Sequence, residues 1–129
     1  MSSSLVAGTK SVIPFSIGQT DLLAGTSFFI AAPFDGWIEE LGVVVQSAVT
    51  TGGAVTVEVA TVAVAGLSVT VADAAAAGTI YTDTPTAKSG TREVSKGDLI
   101  EIVPAAAFAT AGAINGYLTL NSANTDPAL

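Results

Sequence analysis

Apolar and polar residues alternate along most of this chain with a period of two, the mark of strands that turn one face to a core and the other to water. The cleanest run is 55–59, where Val55, Val57 and Val59 interleave with Thr56 and Glu58. Leu67, Val69 and Val71 alternate with Ser68 and Thr70 in the same way, yet Val62 and Val64 between them fall on even numbers. A slip of one residue sends a side chain to the opposite face, so a bulge or a change of sheet is predicted across Ala60 and Thr61.

Further strands are predicted over 11–17, 27–32, 37–47, 99–103 and 114–121, with a short one at Ile80 and Tyr81. Pro14 has no N–H to donate, which places the first strand at an edge or on a bulge. In the long strand, Gly42 reads as a bulge or bend, and Val43, Val44 and Val45 read as a stretch buried on both faces. Turns are predicted at 18–21, Pro33-Phe34-Asp35-Gly36, 65–66 and Ser95-Lys96-Gly97-Asp98, and Thr51-Gly52-Gly53 reads as a hairpin connection. Asp73 to Gly78 is the one helix-like piece, with Asp73 as N-cap, four alanines for a turn and Gly78 to end it. Residues 82–91 and 105–113 read as loops.

About eight short strands with turns at regular spacing predict an all-β protein, an antiparallel β-sandwich. No Cys–Trp–Cys framework of immunoglobulin type is present, which favours a jelly-roll-like arrangement. The expected organisation is a flexible N-terminal arm over 1–10, a single domain over 11–121 and a polar C-terminal tail over 122–129. No internal repeat of fixed length is visible.

Composition narrows the chemistry. Among 129 residues there is no Cys and no His, so disulfides, thiolate metal sites, cysteine nucleophiles and the commonest general base are all excluded. Charged residues make up 12%, about half the usual quarter. So few charges leave much of the exterior to Ala, Thr, Ser, Gly and Val, a surface suited to contact with identical subunits or a larger assembly. The net charge is −7, and Lys10, Lys88, Arg92 and Lys96 are too scattered to track phosphates, so neither nucleic acid nor an anionic membrane is expected as a partner. Met1-Ser2-Ser3-Ser4 has no basic region leading into an apolar run, and the stretch 60–72 is too short and interrupted to span a bilayer, which predicts synthesis in a reducing cytoplasm.

Individual candidates have plain structural readings beside the functional ones. Glu39 and Glu40 are adjacent carboxylates, but on a regular strand they point to opposite faces and cannot act on one bond. Glu58 alternates with valines and belongs on a side facing water or a subunit contact, and Glu101, between Ile100 and Ile102, belongs on the solvated face opposite them. Asp21, Asp35, Asp73 and Asp98 sit in turns and caps, where Asp bonds local backbone; no Asp-x-Asp-x-Asp run supports a calcium site. No Gly-x-Ser-x-Gly elbow and no phosphate-binding loop occur. Trp37, Tyr81 and Tyr117 are the residues from which a sugar-stacking platform would be built, with core or interface anchoring the plainer reading. No catalytic, cofactor-binding or metal-binding residue stands out, and the chain is not expected to be an enzyme.

The order Pro33-Phe34-Asp35-Gly36-Trp37-Ile38-Glu39-Glu40-Leu41, the Val-rich segments around Gly52-Gly53 and Ala65-Gly66, and Ser95-Lys96-Gly97-Asp98-Leu99-Ile100-Glu101-Ile102 resemble the capsid decoration (cement) or head-fibre proteins of tailed bacteriophages. The resemblance covers about residues 11–121 and rests on turn-and-strand patterns. It implies a jelly-roll-like sandwich, often a homotrimer, bound to the major capsid protein on the outer surface of the virion, with no catalysis and no cofactor. The arm before Ser11 and the loop over 105–113 are the expected contact segments. A phage tail or fibre subunit and a small carbohydrate-binding module are the alternatives.

Overall fold

A computed structural model describes residues 10–86, 90–105, 108 and 112–122. Its strands are β1 (Lys10–Ile17), β2 (Phe28–Ala31), β3 (Gly36–Ser47), β4 (Gly53–Val59), β5 (Val62–Val71), β6 (Ile80–Asp83), β7 (Glu93–Val94), β8 (Leu99–Pro104) and β9 (Ala113–Asn121). One six-residue helix, α1 (Gln19–Ala24), and a 3-10 turn over Gly90–Arg92 complete the described elements. A five-stranded sheet runs β1-β9-β3-β6, with the two-residue β7 also on β3, and a four-stranded sheet runs β2-β8-β4-β5. Every pairing is antiparallel. Leaving β7 aside, β1 pairs with β9, β2 with β8, β3 with β6 and β4 with β5, so the chain folds like one long hairpin rolled around a core. That nesting is the jelly-roll order.

Period-two patterning supplies the core. Ile38, Leu41, Val43 and Val45 of β3 and Ile114, Leu118 and Leu120 of β9 face Val55 and Val57 of β4 and Ile100 and Ile102 of β8, all with no solvent exposure. Burying one such side chain stabilises by roughly 1.5–3 kcal/mol. At one side of the sandwich the Phe15 and Phe28 rings lie 6.0 Å apart and tilted by 44°, joining β1 to β2. On the opposite side, the free edge of β5 is tied to the end of β6 and the chain that follows it. Ser68 N donates to Asp83 Oδ2 at 2.9 Å, Ala65 N to Thr91 Oγ1 at 2.8 Å and Thr86 N to the Ala65 carbonyl at 2.9 Å. Those bonds occupy groups that an open sheet edge would offer to another chain.

Several expectations need correction. Residues 73–78 form turns, not a helix. Asp73 Oδ1 accepts from Gly52 N (2.8 Å), Ala74 N donates to the Thr50 carbonyl and Gly78 N to the Val45 carbonyl, so the carboxylate that would cap a helix and the Gly78 amide that would close its turn are both taken by the chain beside them. The helix lies instead over Gln19–Ala24, without a side-chain N-cap; buried Leu22 anchors it and Gly25, at φ 70°, closes it. Thr51-Gly52-Gly53 is not a hairpin connection but part of a crossover from the five-stranded to the four-stranded sheet. The tight hairpin is at Ala60 and Thr61, both left-handed (φ 49° and 71°), so the phase change there is a turn, and the register of β4 on β5 shifts just beyond it, opposite Thr56–Glu58.

Gly42 is not a bulge. The register shifts of β3 on β9 fall at Ile38/Glu40 and Val45/Ser47, and Gly42 pairs regularly with Tyr117. A Cβ at Gly42 would overlap the Tyr117 ring, so the glycine is the seat on which that ring lies. Val44 is only half-buried; the valine run is covered on its inner face and partly open on its outer one. Lys10, expected in the arm, opens β1, and Pro14 sits on that edge strand as expected. The rest of the expected arm (1–9), most of the 105–113 loop and the tail from 123 lie outside the described residues.

Candidate interaction surfaces

The first shift in β3 decides where the adjacent carboxylates go. Glu39 is the extra residue between Ile38 and Glu40, and both line one open groove of about 530 Å³ with Lys10, Trp37, Arg92 and Thr119. The expectation of opposite faces therefore fails, because a bulge breaks the alternation on which it rested. Within the groove the two acids are tied to different groups. Glu39 pairs with Lys10 Nζ at 3.3 Å and accepts a 3.4 Å contact from Asn121 Nδ2. Glu40 instead interacts with Tyr117, whose hydroxyl pKa is pushed above the ordinary value by burial first, then by the Glu40 charge and a hydrogen bond to Glu40.

The groove floor holds a buried cation. Arg92 is 6% exposed and its guanidinium carbon lies 4.5 Å from the Trp37 ring centroid. Such a desolvated cation–π contact contributes about 2 kcal/mol. Trp37 is itself buried, and its indole N–H meets no hydrogen-bond partner among the described residues. Tyr81 is half-buried, and its hydroxyl accepts from Ala72 N at 3.1 Å. Trp37 is covered by Arg92, Tyr81 packs on the core and Tyr117 lies over Gly42, so the three rings do not share an exposed platform.

The outer face of the five-stranded sheet holds Lys10, Glu39 and Glu40 at its groove end and carries no charge on the rows beyond it. Register places Val12, Pro14 and Ser16 of β1 beside Thr119, Tyr117 and Asn115 of β9, then Glu40, Gly42 and Val44 of β3, then Thr82 and Ile80 of β6. Val12 (62%) and Ile80 (66%) are its most exposed apolar side chains, and Glu40, at the groove end, is the one charged residue in these rows.

The outer face of the four-stranded sheet is different. Glu58 of β4 and Glu101 of β8 are register partners, both half-buried, with Phe29 of β2 next to Glu101 in the same row. Phe29 is 56% exposed and Leu99 47%. Ser27 Oγ donates to Glu101 Oε2 at 2.6 Å.

The aspartates are structural. Asp35 Oδ1 accepts from Lys96 N (2.7 Å) and Asp98 Oδ2 from Ser95 N (2.9 Å), which locks the 33–36 and 95–98 turns together. Asp21 is in the first turn of α1. No three acidic side chains converge among the described residues. Lys10 and Arg92 share the groove with Glu39 and Glu40, Lys96 is in an exposed turn elsewhere, and Lys88 lies outside the described residues, so the described basic residues form no stripe. No described helix is long and apolar enough to cross a membrane. No protein-family model and no curated protein matches the chain.

Sequence reasoning had singled out Glu39, Glu40, Trp37 and Tyr117 separately. It missed that β3 and β9 gather them at one end of a sheet, and it missed Arg92 as the cover of Trp37. The doubling of carboxylates at 39–40 was the available signal, since an insertion in an otherwise alternating strand brings neighbours to one side.

Proposed function

We propose that the protein is a structural component of a phage virion that binds the outer surface of the capsid shell and stabilises it, without catalysis. The observation that carries this reading is the part of the five-stranded sheet's outer face beyond the groove, where the rows hold no charge, Ile80 is largely exposed and Val12 stands exposed at the border. Copies that each carry a net charge of −7 repel over most of their surface and approach most readily where charge is absent. That face is assigned to contact between identical subunits in a homo-oligomer, a trimer by the resemblance of the turn and strand patterns. The major capsid protein is the partner for the remaining surface. A rigid jelly-roll body suits such a role, because every copy bound across a joint of the shell adds binding free energy that opening the shell must forfeit.

The test mixes purified protein with undecorated capsids and images the particles. A regular array on the shell is expected, with a solution mass above that of one chain. Bare shells overturn the reading, and attachment to tails assigns the protein to a tail or fibre instead.

A further inference from the structure

The four-stranded sheet carries two carboxylates where sheet energetics disfavour them. Glu58 and Glu101 are direct cross-strand partners, and like charges so placed are destabilising. No lysine or arginine occurs anywhere on β2, β4, β5 or β8 to offset them. Around the pair the surface is apolar, with Phe29 and Leu99 about half exposed. Two facing carboxylates with no cation on their strands, beside exposed Phe29 and Leu99, are complementary to a positive side chain set among apolar neighbours.

We propose that the outer face of the four-stranded sheet docks a partner protein by taking an arginine or lysine side chain between Glu58 and Glu101, with the partner's apolar side chains on Phe29 and Leu99. A planar guanidinium has donors for both carboxylates at once, which favours arginine. The Ser27 hydroxyl, already donating to Glu101, holds one acceptor in place. A bare calcium ion is the poorer occupant, since it takes six to eight oxygens and two carboxylates with one hydroxyl fall short. A second copy of this chain is poorer too. Of its four basic residues Lys10 is paired with Glu39 and Arg92 is buried on Trp37, and Lys88 and Lys96 stand between small and polar neighbours in sequence, without the large apolar side chains that would cover Phe29 and Leu99.

This inference rests on the docking role proposed above and names the chemistry of one of its contacts. The test titrates the intact protein, by amide and side-chain carboxyl NMR, with a short acetylated peptide alternating valine and arginine, and with a twin carrying uncharged citrulline for arginine. The expected result is saturable shifts confined to 27–31, 56–63 and 99–103, with the citrulline twin bound about fivefold more weakly, the scale of one well-placed charge pair. Glu58→Gln is expected to weaken arginine-peptide binding by a similar factor while raising the melting temperature, a split that a purely structural glutamate does not produce. Glu101→Gln serves as the second variant. Equal binding of the two peptides, shifts elsewhere, no shifts, or indifference to both variants overturns the proposal. Shell binding with no response to the arginine peptide removes this contact and leaves the decoration role standing; peptide binding as expected with bare shells does the reverse.

Discussion

The two outer faces of this sandwich are carried by one core, yet they are built to opposite plans. Under both lie Val, Ile and Leu with no exposure, so the interior imposes no difference on the outsides. On the five-stranded sheet, Lys10, Glu39 and Glu40 gather at one end, with Glu39 paired to Lys10 and Glu40 engaged with Tyr117, and the outward rows beyond them carry no charge. On the four-stranded sheet, two acids face each other with no cation on their strands. A sequence selected for stability alone would not keep that pair, and where local rules are broken the reason is sought in what the surface meets. The first face is a plain contact surface; the second has a charge signature.

The comparison breaks most completely if the shared core is cut. Leu118→Ala, at a position with no exposure, is expected to cost 2–5 kcal/mol in denaturant unfolding, because the cavity left in a packed sandwich collapses only partly, and to loosen both faces alike. Loss on one side alone would show that the sheets are not one cooperative unit. Arg92→Ala is expected to cost about 2 kcal/mol and to change Trp37 fluorescence as the ring is uncovered, with NMR signals of Glu58 and Glu101 unmoved.

Gly42→Ala probes the first face from within. The added methyl meets the Tyr117 ring, so a loss of at least about 1 kcal/mol is expected, and much of it should vanish in the Tyr117→Ala background. Glu58→Gln probes the second face and should have the opposite sign: a gain of a few tenths to about 1 kcal/mol, shrinking as salt screens the repulsion. The smallest effect is the titration of Tyr117. Its proton is held more tightly in the folded chain than in the unfolded one. The associated stabilisation is complete below the ordinary tyrosine pKa and is lost as pH rises through the higher folded value. Tyrosinate absorbance should show Glu40→Gln moving that titration back toward the ordinary value without abolishing the part due to burial.

Much of the fold was legible in residue order. Alternation marks β4, the ends of β5 and most of β3 and β9, because a strand with one buried face must repeat every two residues. Pro14 announces an edge strand, and Pro33-Phe34-Asp35-Gly36 and Ser95-Lys96-Gly97-Asp98 announce turns, because those side chains have local backbone preferences. What misled were elements whose stability is not local. Asp73 to Gly78 has the composition of a helical turn, but Asp73 caps Gly52 and the neighbouring amides bond to 45 and 50. Gln19 to Ala24 lacks a side-chain cap and is helical because Leu22 finds the core. The candidate surfaces were half visible: Glu58 and Glu101 were placed outward, but not beside each other.

What residue order determined by itself is the class of the protein: strands, their inner faces, the absence of thiol and imidazole chemistry and the poverty of charge. These depend on periodicity and composition, which act within a few residues. Which strands become neighbours was decided only by the tertiary structure. Pairing in a jelly roll joins segments as distant as Lys10 and Asn121; the registers of β1 and β3 on β9 together bring Trp37 near Lys10, and the register of β4 on β8 sets Glu58 against Glu101. Such registers are fixed by the packing of the whole core, so no local stretch of the chain encodes them.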